Sequence, residues 1–533
     1  MQAPPVNLLT WLLALSPIAA VLALMVGFRW GGDRAGAVGW IVALLVAWLG
    51  FRAGPEVLFY SQLRGLLLSL YVLYIIWMAL LLYRVVDEAG AIAVIGQGIV
   101  RLTAQPTMQL LLLAWAFASF LQGVSGYGVP IAVVAPLLIG LGFPPVVAVA
   151  SVSIGHSWSV TFGSVAASFQ ALTAASNLPG SELAPWSALF LGVACLGCGI
   201  YAAWAWEGGR SLRQGWPALL LMGGTMAGVQ AALALSGLWN LAGFGAGLAG
   251  LAVGALVARL PRYQRTESRP EATRADTKPA PEGGNPAALP LGLALAPYLV
   301  LIVAVAAAEL WPWLNGVLNR IQVQVRFPGV STGHGWATPA GLGRTTSLFG
   351  HAGALLAYVA IAFFLVYRLA GRYTPGVGRR IVRKTLRSAL PSSIGILTMV
   401  GFAVAMDNSG MVYVLAQGLG RAAGPLYPVV APFIGLLGAF MTGSNTNSNV
   451  VFTPLQQQAA GLLQISAAVI LAAQTTGGAV GSALAPAKLI VGCSTAGLVG
   501  QEGKVLIKIL LPGLLIISLV GVLAWLAIAL GAK

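Results

Sequence analysis

The chain alternates long apolar runs with short polar or basic stretches. Apolar segments fall at 7–28, 36–51, 65–83, 107–122, 146–172, 185–206, 216–236, 240–258, 290–313, 349–370, 389–406, 425–441, 465–490 and 507–530. A helix needs about 20 apolar residues to cross the hydrocarbon core of a bilayer, and most of these runs are near that length. The alternation in runs of about ten that marks a membrane β-barrel is missing. The pattern predicts an all-α polytopic membrane protein with about 12–14 transmembrane helices. The first run, from Asn7, has no basic residue before it, so it is expected to stay as a membrane helix rather than act as a signal peptide.

Composition agrees. Of 533 residues, 58% are hydrophobic and 8% charged, against about 25% charged in soluble domains. Mean hydropathy is +0.87. The 68 glycines suit helices whose backbones approach closely. A net charge of +16 raises nucleic acid as a partner, but the basic residues sit in loops, as the positive-inside rule expects. Arg372, Arg379, Arg380, Arg383, Lys384 and Arg387 mark a cytoplasmic loop with no acid among them. The Pro-rich, charged stretch 259–286 reads as a flexible linker on the same side. The polar region 314–348, with Ile321, Val323, Val325 and Phe327 alternating, is expected to form a structured cap on the opposite face. The chain therefore divides into N-terminal helices (1–64), a first repeat with following helices (65–258), a linker (259–289), connecting helices with the cap (290–384), and a second repeat with a C-terminal helix (385–533). Membrane lipid is an expected partner, nucleic acid is not, and a homo-oligomer is compatible. Cys195 and Cys198 form a C-x-x-C inside an apolar run, with no histidine or second cysteine pair nearby, so packing is the expected role and no metal is expected.

An internal repeat underlies the pattern. At an offset of 320 positions, Asp87 falls on Asp407, Gly90 on Gly410, Gln97 on Gln417, Gly98 on Gly418, Arg101 on Arg421, Phe120 on Phe440 and Gly123 on Gly443. Two acids and two arginines in register are hard to reconcile with chance in a chain so poor in charge. Each half carries a span ending in aspartate, a short segment ending in Gln-Gly-x-x-Arg, a further span, and a polar break. Transporters are commonly built from such repeats, often inverted; the span count leaves the orientation open.

The breaks are GVSGYGVP (123–130) and TGSNTNSN (442–449). Irregular polar backbone at membrane depth is tolerated where it is buried in protein or lines a cavity, so these are the candidate binding segments. Helix N-termini after such breaks present free N–H groups to an anion, and the candidates are Ser125, Gly126, Tyr127, Gly128, Ser444, Asn445, Thr446, Asn447, Ser448 and Asn449. The oxygens of Ser444, Asn445 and Thr446 also suit sodium. A second polar cluster follows each break: His156 and Ser157 in the first half, Gln474, Thr475 and Thr476 in the second. Helix–helix hydrogen bonding is the plain alternative for these. Asp407, Asp87 and Lys488 are candidate ion-coupling residues, since ionisable groups at membrane depth are functional candidates by default; capping or an interfacial position is the alternative for each.

Three stretches together resemble the L-lactate permease family: SGYGVPIAVVAPLLIGLGFPP (125–145), FMTGSNTNSNVVFTPLQQQAA (440–460), and AAQTTGGAVGSALAP (472–486) followed by GLVGQEG (497–503). The resemblance runs from about Ser69 to the C-terminus and is weakest across 259–348. It implies a multi-pass protein of the bacterial plasma (inner) membrane that imports lactate, glycolate or a related 2-hydroxy monocarboxylate, usually with protons and without a cofactor. It also implies two inverted repeats with re-entrant hairpins. Three positions depart from the family: Asn445 stands where an aspartate is usual, Ser482 where a lysine tends to follow Thr-Thr-Gly-Gly, and Asp407 where an asparagine is expected. The acid is thus expected to have moved between neighbouring helices, with Lys488 replacing the lysine. Ser444-Asn445-Thr446 also resembles the Ser-Asn-Thr motif of sodium-coupled dicarboxylate transporters, which keeps sodium as an alternative. An anion channel is a further rival; an enzyme is not expected, because the three histidines form no metal or nucleophile–base motif, and no phosphate-binding G-x-x-x-x-G-K-[ST] loop indicates an ATP-driven pump.

Overall fold

A computed structural model describes residues 4–28, 30–126, 128–264 and 289–532. Its longer helices run, in order, α1 Leu8–Leu22, α2 Gly32–Leu49, α3 Pro55–Glu88, α4 Ala91–Val100, α5 Pro106–Val124, α6 Val129–Gly140, α7 Pro145–Gly155, α8 Gly163–Ser176, α9 Gly180–Glu207, α10 Gly209–Leu235 and α11 Trp239–Val257. They continue with α12 Leu291–Leu310, α13 Ala352–Leu369, α14 Val377–Asn408, α15 Met411–Ala423, α16 Tyr427–Thr442, α17 Asn445–Leu463, α18 Ala467–Leu484, α19 Pro486–Thr495 and α20 Glu502–Ala529. Among the described residues, 12 helical segments are long and apolar enough to cross a membrane, in keeping with the expected multi-pass helical protein. Several helices start on proline, as at Pro55, Pro106, Pro145 and Pro486, where the missing N–H is not needed and φ is already set.

Two apolar runs that read as single spans are broken. The run 146–172 splits into α7, a 3₁₀ turn at Ser157–Val160 and α8. The run 465–490 splits at Ala485, which is extended, with Pro486 restarting the chain as α19. The divisions at 64/65 and 384/385 fall inside α3 and α14, because polar and basic residues at a helix end do not interrupt its hydrogen bonding. Of the linker, 265–288 lies outside the described residues. The cap is one long hairpin pinned by three nested antiparallel ladders, β1 Gln322–Val323 with β6 Thr346–Ser347, β2 Arg326–Phe327 with β5 Gly341–Leu342, and β3 Val330–Ser331 with β4 Ala337–Thr338.

The two halves meet along α3 and α14, which run antiparallel. Gln62 Nε2 donates to Gly401 O at 3.4 Å, Trp77 Nε1 to Ser393 Oγ at 2.9 Å, and Arg84 Nη2 to Ser388 Oγ at 3.2 Å. Glu88 closes the far end with Arg380 at 3.3 Å and Lys384 at 2.5 Å. After each helix a glycine in the left-handed region, Gly90 (φ 78°) or Gly410 (φ 84°), turns the chain into the short α4 or α15. α5 is buried on every face, and carries a π-helical stretch at Leu111–Phe117. A Cβ at Gly435 would strike the Gln474 carbonyl oxygen, and one at Gly477 that of Pro432, so α16 and α18 meet backbone to backbone. The first half repeats this: a Cβ at Gly155 on α7 would strike the Ala114 carbonyl of α5.

Candidate functional site

Two helical hairpins and two broken helices converge where the halves meet. α16 and α17 are joined by Gly443 (φ 68°) and Ser444 alone and fold back on each other. Ser448 Oγ donates to Gly435 O at 2.7 Å, Tyr427 OH to Gln456 Oε1 at 2.9 Å, and Gln456 Nε2 to Ala431 O at 3.0 Å. Ser444 caps α17, its Oγ accepting from Asn447 N at 3.3 Å. In the first half, α5 and α6 are joined through Gly126 (φ 62°) and Gly128 (φ 81°), and a Cβ at Gly126 would strike Ser164 Oγ.

The α7–α8 break is strained. Ser164, Val165 and Ala166 hold φ of 49°, 54° and 60°. The left-handed region costs an L-residue roughly 1–2 kcal/mol, and a β-branched valine there is an outlier. Such strain collects at functional sites. This turn lies against the α5–α6 tip, and the next turn of α8 faces α17.

Side chains from both halves then interlock. Asn445 Nδ2 donates to Thr161 Oγ1 at 3.1 Å and Thr475 Oγ1 at 3.3 Å. Thr161 Oγ1 and Thr475 Oγ1 are 3.2 Å apart. Asn449 Nδ2 donates to Thr475 Oγ1 at 2.8 Å and Ser168 O at 2.9 Å. Ser168 Oγ and Thr446 Oγ1 are 2.9 Å apart. Beside this network is a cavity of ≈30 Å³ lined by Gln122, Val160, Ser164, Ala167 and Ser168 from the first half and by Gly443, Ser444, Asn445, Thr446 and Lys488 from the second. A water needs about 10–15 Å³, so the cavity holds a water or a bare cation and is closed to a larger solute in this conformation.

The lining includes an ammonium group and no carboxylate. Lys488 is buried, and its Nζ donates to Ser482 Oγ at 3.0 Å. An ammonium has three donors, so two remain for a ligand. Lys488 sits in the first turn of α19, and the N-terminus of α17 opens beside it, with a Cβ at Gly443 reaching Ala487 at 3.5 Å. Two helix N-termini and an ammonium converge here, an arrangement suited to an anion.

Ser444, Asn445, Thr446 and Lys488 line the cavity, and Asn449 and Thr475 belong to its network. Gln474 reaches Asn449 Oδ1 only at 3.5 Å. Ser448, Thr476 and Ser125 spend their hydroxyls on backbone carbonyls of Gly435, Ala472 and Leu121. Asn447 Oδ1 is buried without a partner among the described residues. Ser157 turns to Ile154 O and to Cys198 Sγ at 3.4 Å on α9, while His156 Nδ1 faces Val152 O at 2.5 Å. Gly126 and Gly128 form the α5–α6 tip; Tyr127 lies outside the described residues. Asp87 and Asp407 are not in the cluster. Asp87 sits beside Arg84, 3.6 Å away, at the end of the bundle that carries the basic loop. Asp407 lies under the cap, where Trp336 Nε1 donates to its carbonyl at 3.1 Å. Gln122, Ser164 and Ser168 are not among the sequence candidates; the one available signal is that Gln122 directly precedes the repeat glycine Gly123.

The chain matches the L-lactate permease family over residues 10–531. It is similar to the glycolate permease GlcA of Escherichia coli (strain K12), 26% identical over 97% of this chain and 95% of that protein. It is similar to an L-lactate permease of Bacillus subtilis (strain 168), 26% identical over 93% of this chain and 92% of that protein. Among solved structures, the Alcanivorax borkumensis YdaH transporter aligns at 17% identity with a TM-score of 0.44, covering 86% of each chain.

Proposed function

We propose, from the fact that this chain belongs to the L-lactate permease family, that it imports a small 2-hydroxy monocarboxylate such as L-lactate or glycolate by proton symport. Membership makes it a multi-pass plasma-membrane transporter of the lactate and glycolate permease type. The substrate and the coupling ion are the proposed steps, and the observation that carries them is the central cavity, where Lys488 and the first turns of α17 and α19 face small polar side chains with no carboxylate in the lining. A carboxylate seats there by charge-assisted hydrogen bonds from the ammonium and the free N–H groups. Its hydroxyl finds partners among Ser164, Ser168, Ser444 and Thr446.

An uncompensated carboxylate is costly at membrane depth, which is the physical reason for cotransport. With an ammonium already in the lining, a lone sodium ion is repelled. This favours proton over sodium coupling, and Asp407, an acid on α14 near the path from the cap side, is the proposed proton carrier. We read the antiparallel α3 and α14, which hold equivalent sequence, as the core of two inverted repeats. The α5–α6 and α16–α17 hairpins are then the re-entrant pair. Substrate entry requires the small cavity to open, and the strained 164–166 turn is the place where the first half is least settled.

The deciding experiment is uptake of labelled L-lactate and glycolate into proteoliposomes under an imposed proton or sodium gradient. Accumulation driven by the proton gradient alone is the expected result. Accumulation that needs sodium moves the coupling site to Ser444, Asn445 and Thr446, and no uptake of either acid removes the substrate assignment.

A further inference from the structure

The cap encloses a second polar cavity that the central cluster does not use. Its volume is ≈170 Å³, and its walls come from the cap hairpin, α3, the end of α8, the end of α14 and the middle of α17. Arg64 and Arg344 bring two guanidinium groups and Asp407 one carboxylate, so the lining has a net positive charge.

Each guanidinium is held in place. Arg344 lies 5.1 Å from the Tyr71 ring centroid, and its Nη2 donates to the Tyr71 hydroxyl at 3.4 Å. Tyr71 is itself fixed, donating to Gln170 Oε1 at 2.9 Å, while Gln170 Nε2 donates to Asn240 Oδ1 at 3.0 Å. Arg64 stands 4.8 Å over the Phe327 ring and donates to Pro339 O at 3.3 Å. Asp407 makes no ion pair within 4.0 Å among the described residues. Two polar groups at this cavity are buried without partners: Asn408 Nδ2, on a residue only 4% exposed, and Arg64 Nε. Both are donors. Buried donors are nearly always satisfied, so what this cavity lacks is an acceptor.

The cavity is also in series with the central one. α8 contributes Ser164, Ala167 and Ser168 to the inner cavity, and Ala174 and Ala175 with the capping Asn177 to the cap cavity. α17 contributes Asn445 and Thr446 to the first and Val450 and Pro454 to the second. At 1.5 Å per residue the two lie on the order of 10 Å apart along the same pair of helices.

We propose that the cap cavity is a second binding site for the same class of small monocarboxylate, anchored by Arg344 and lying ahead of the central cluster on the face opposite the basic 372–387 loop. This rests on the function proposed above. A planar guanidinium pairs a carboxylate through two parallel hydrogen bonds, and the Asn408 amide supplies a further donor. While it is ionised, before it takes up the coupling proton, Asp407 makes the site selective: the second carboxylate of a dicarboxylate would meet a like charge there, a juxtaposition that suppresses wrong partners. The net positive lining also concentrates anions at the mouth of the path.

The test is equilibrium binding of labelled L-lactate and, separately, glycolate to the purified full-length protein. Two sites per chain are expected in the wild type. Arg344→Gln should leave one, Arg344→Lys should keep the second with weaker affinity, and Lys488→Gln should remove the other. In proteoliposomes Arg344→Gln should raise KM about tenfold with turnover unchanged, the pattern of lost binding shared by ground and transition states. Thermal unfolding of each variant checks its fold; should Arg344→Gln not fold, Arg344→Lys and Asn408→Leu carry the test. A single wild-type site that Lys488→Gln abolishes and Arg344→Gln leaves intact overturns this inference and spares the central one. A wild type that binds neither acid overturns both.

Discussion

The Lys488 ammonium donates to the Ser482 hydroxyl at 3.0 Å. In the permeases that this sequence resembles, a lysine tends to stand at the position of Ser482 itself. The cation therefore reaches the same neighbourhood from a different helix. Moving it back tests whether place or residue matters. Lys488→Ser should lower kcat/KM for uptake by about 30-fold or more, the scale of losing one charged partner at a buried anion site. The double variant Ser482→Lys/Lys488→Ser should recover most of that loss in the same assay. A double variant no better than the single one would show that Lys488 serves packing rather than anion binding.

Asn445 bridges the halves through Thr161 and also reaches Thr475 of its own half. Asn445→Ala should cost about 1–2 kcal/mol of stability, since both threonines keep each other as partners. Its effect on uptake should be larger than its effect on melting, because α17 loses one of the side chains that hold its first turn to the other half. Detergent melting curves beside initial uptake rates separate the two.

Gly435 and Gly477 are places where a Cβ would strike carbonyl oxygens across the α16–α18 contact. Gly435→Ala and Gly477→Ala should each destabilise by about 1–3 kcal/mol through overpacking. Gly461→Ala, on α17 with open space around its Cβ, should instead be neutral or stabilising by about 0.5–1 kcal/mol. Melting temperatures of the three variants check the ordering.

Asp407 and Asp87 occupy equivalent repeat positions yet lie at opposite ends of the bundle. Asp407→Asn should abolish proton-driven accumulation and leave exchange of labelled for unlabelled substrate in place, whereas Asp87→Asn should change neither. Intact proton-driven accumulation in Asp407→Asn would remove Asp407 as the coupling group.

His351 lies at the cap end of α13, between the rings of Tyr71 and Tyr74. Burial, with a smaller contribution from Arg344, lowers its pKa to about 4. A histidine depressed in the folded state takes up its proton more readily when unfolded, so the folded protein loses stability as pH falls from about 6.5 toward 4. His351→Asn keeps an N-cap acceptor for Gly353 N–H and should flatten that slope. Thermal unfolding at pH 7 and pH 5 reads the difference.

Much of this protein was legible from one sequence. The apolar runs specified a multi-pass helical protein because bilayer thickness sets span length. The 320-position offset placed Gly90 on Gly410, and both turn a long helix into a short one from the left-handed region. The second polar break specified the α16–α17 tip, because small polar residues in such number have no place on a lipid-facing helix. The first break also marked the α5–α6 tip, but its serine points to its own helix. Tertiary structure decided the rest. A hydropathy run cannot show that a helix breaks when both pieces stay buried, as at 156–166 and at Ala485. Thr161 and Asn445 meet although 284 positions apart, and Ser164 and Ser168 look in sequence like ordinary helix glue. Asp87 and Asp407, matched at the 320-position offset, part company because α3 and α14 run antiparallel. Which polar side chains face a cavity depends on helix rotation and packing partners, and neither is written in the local sequence.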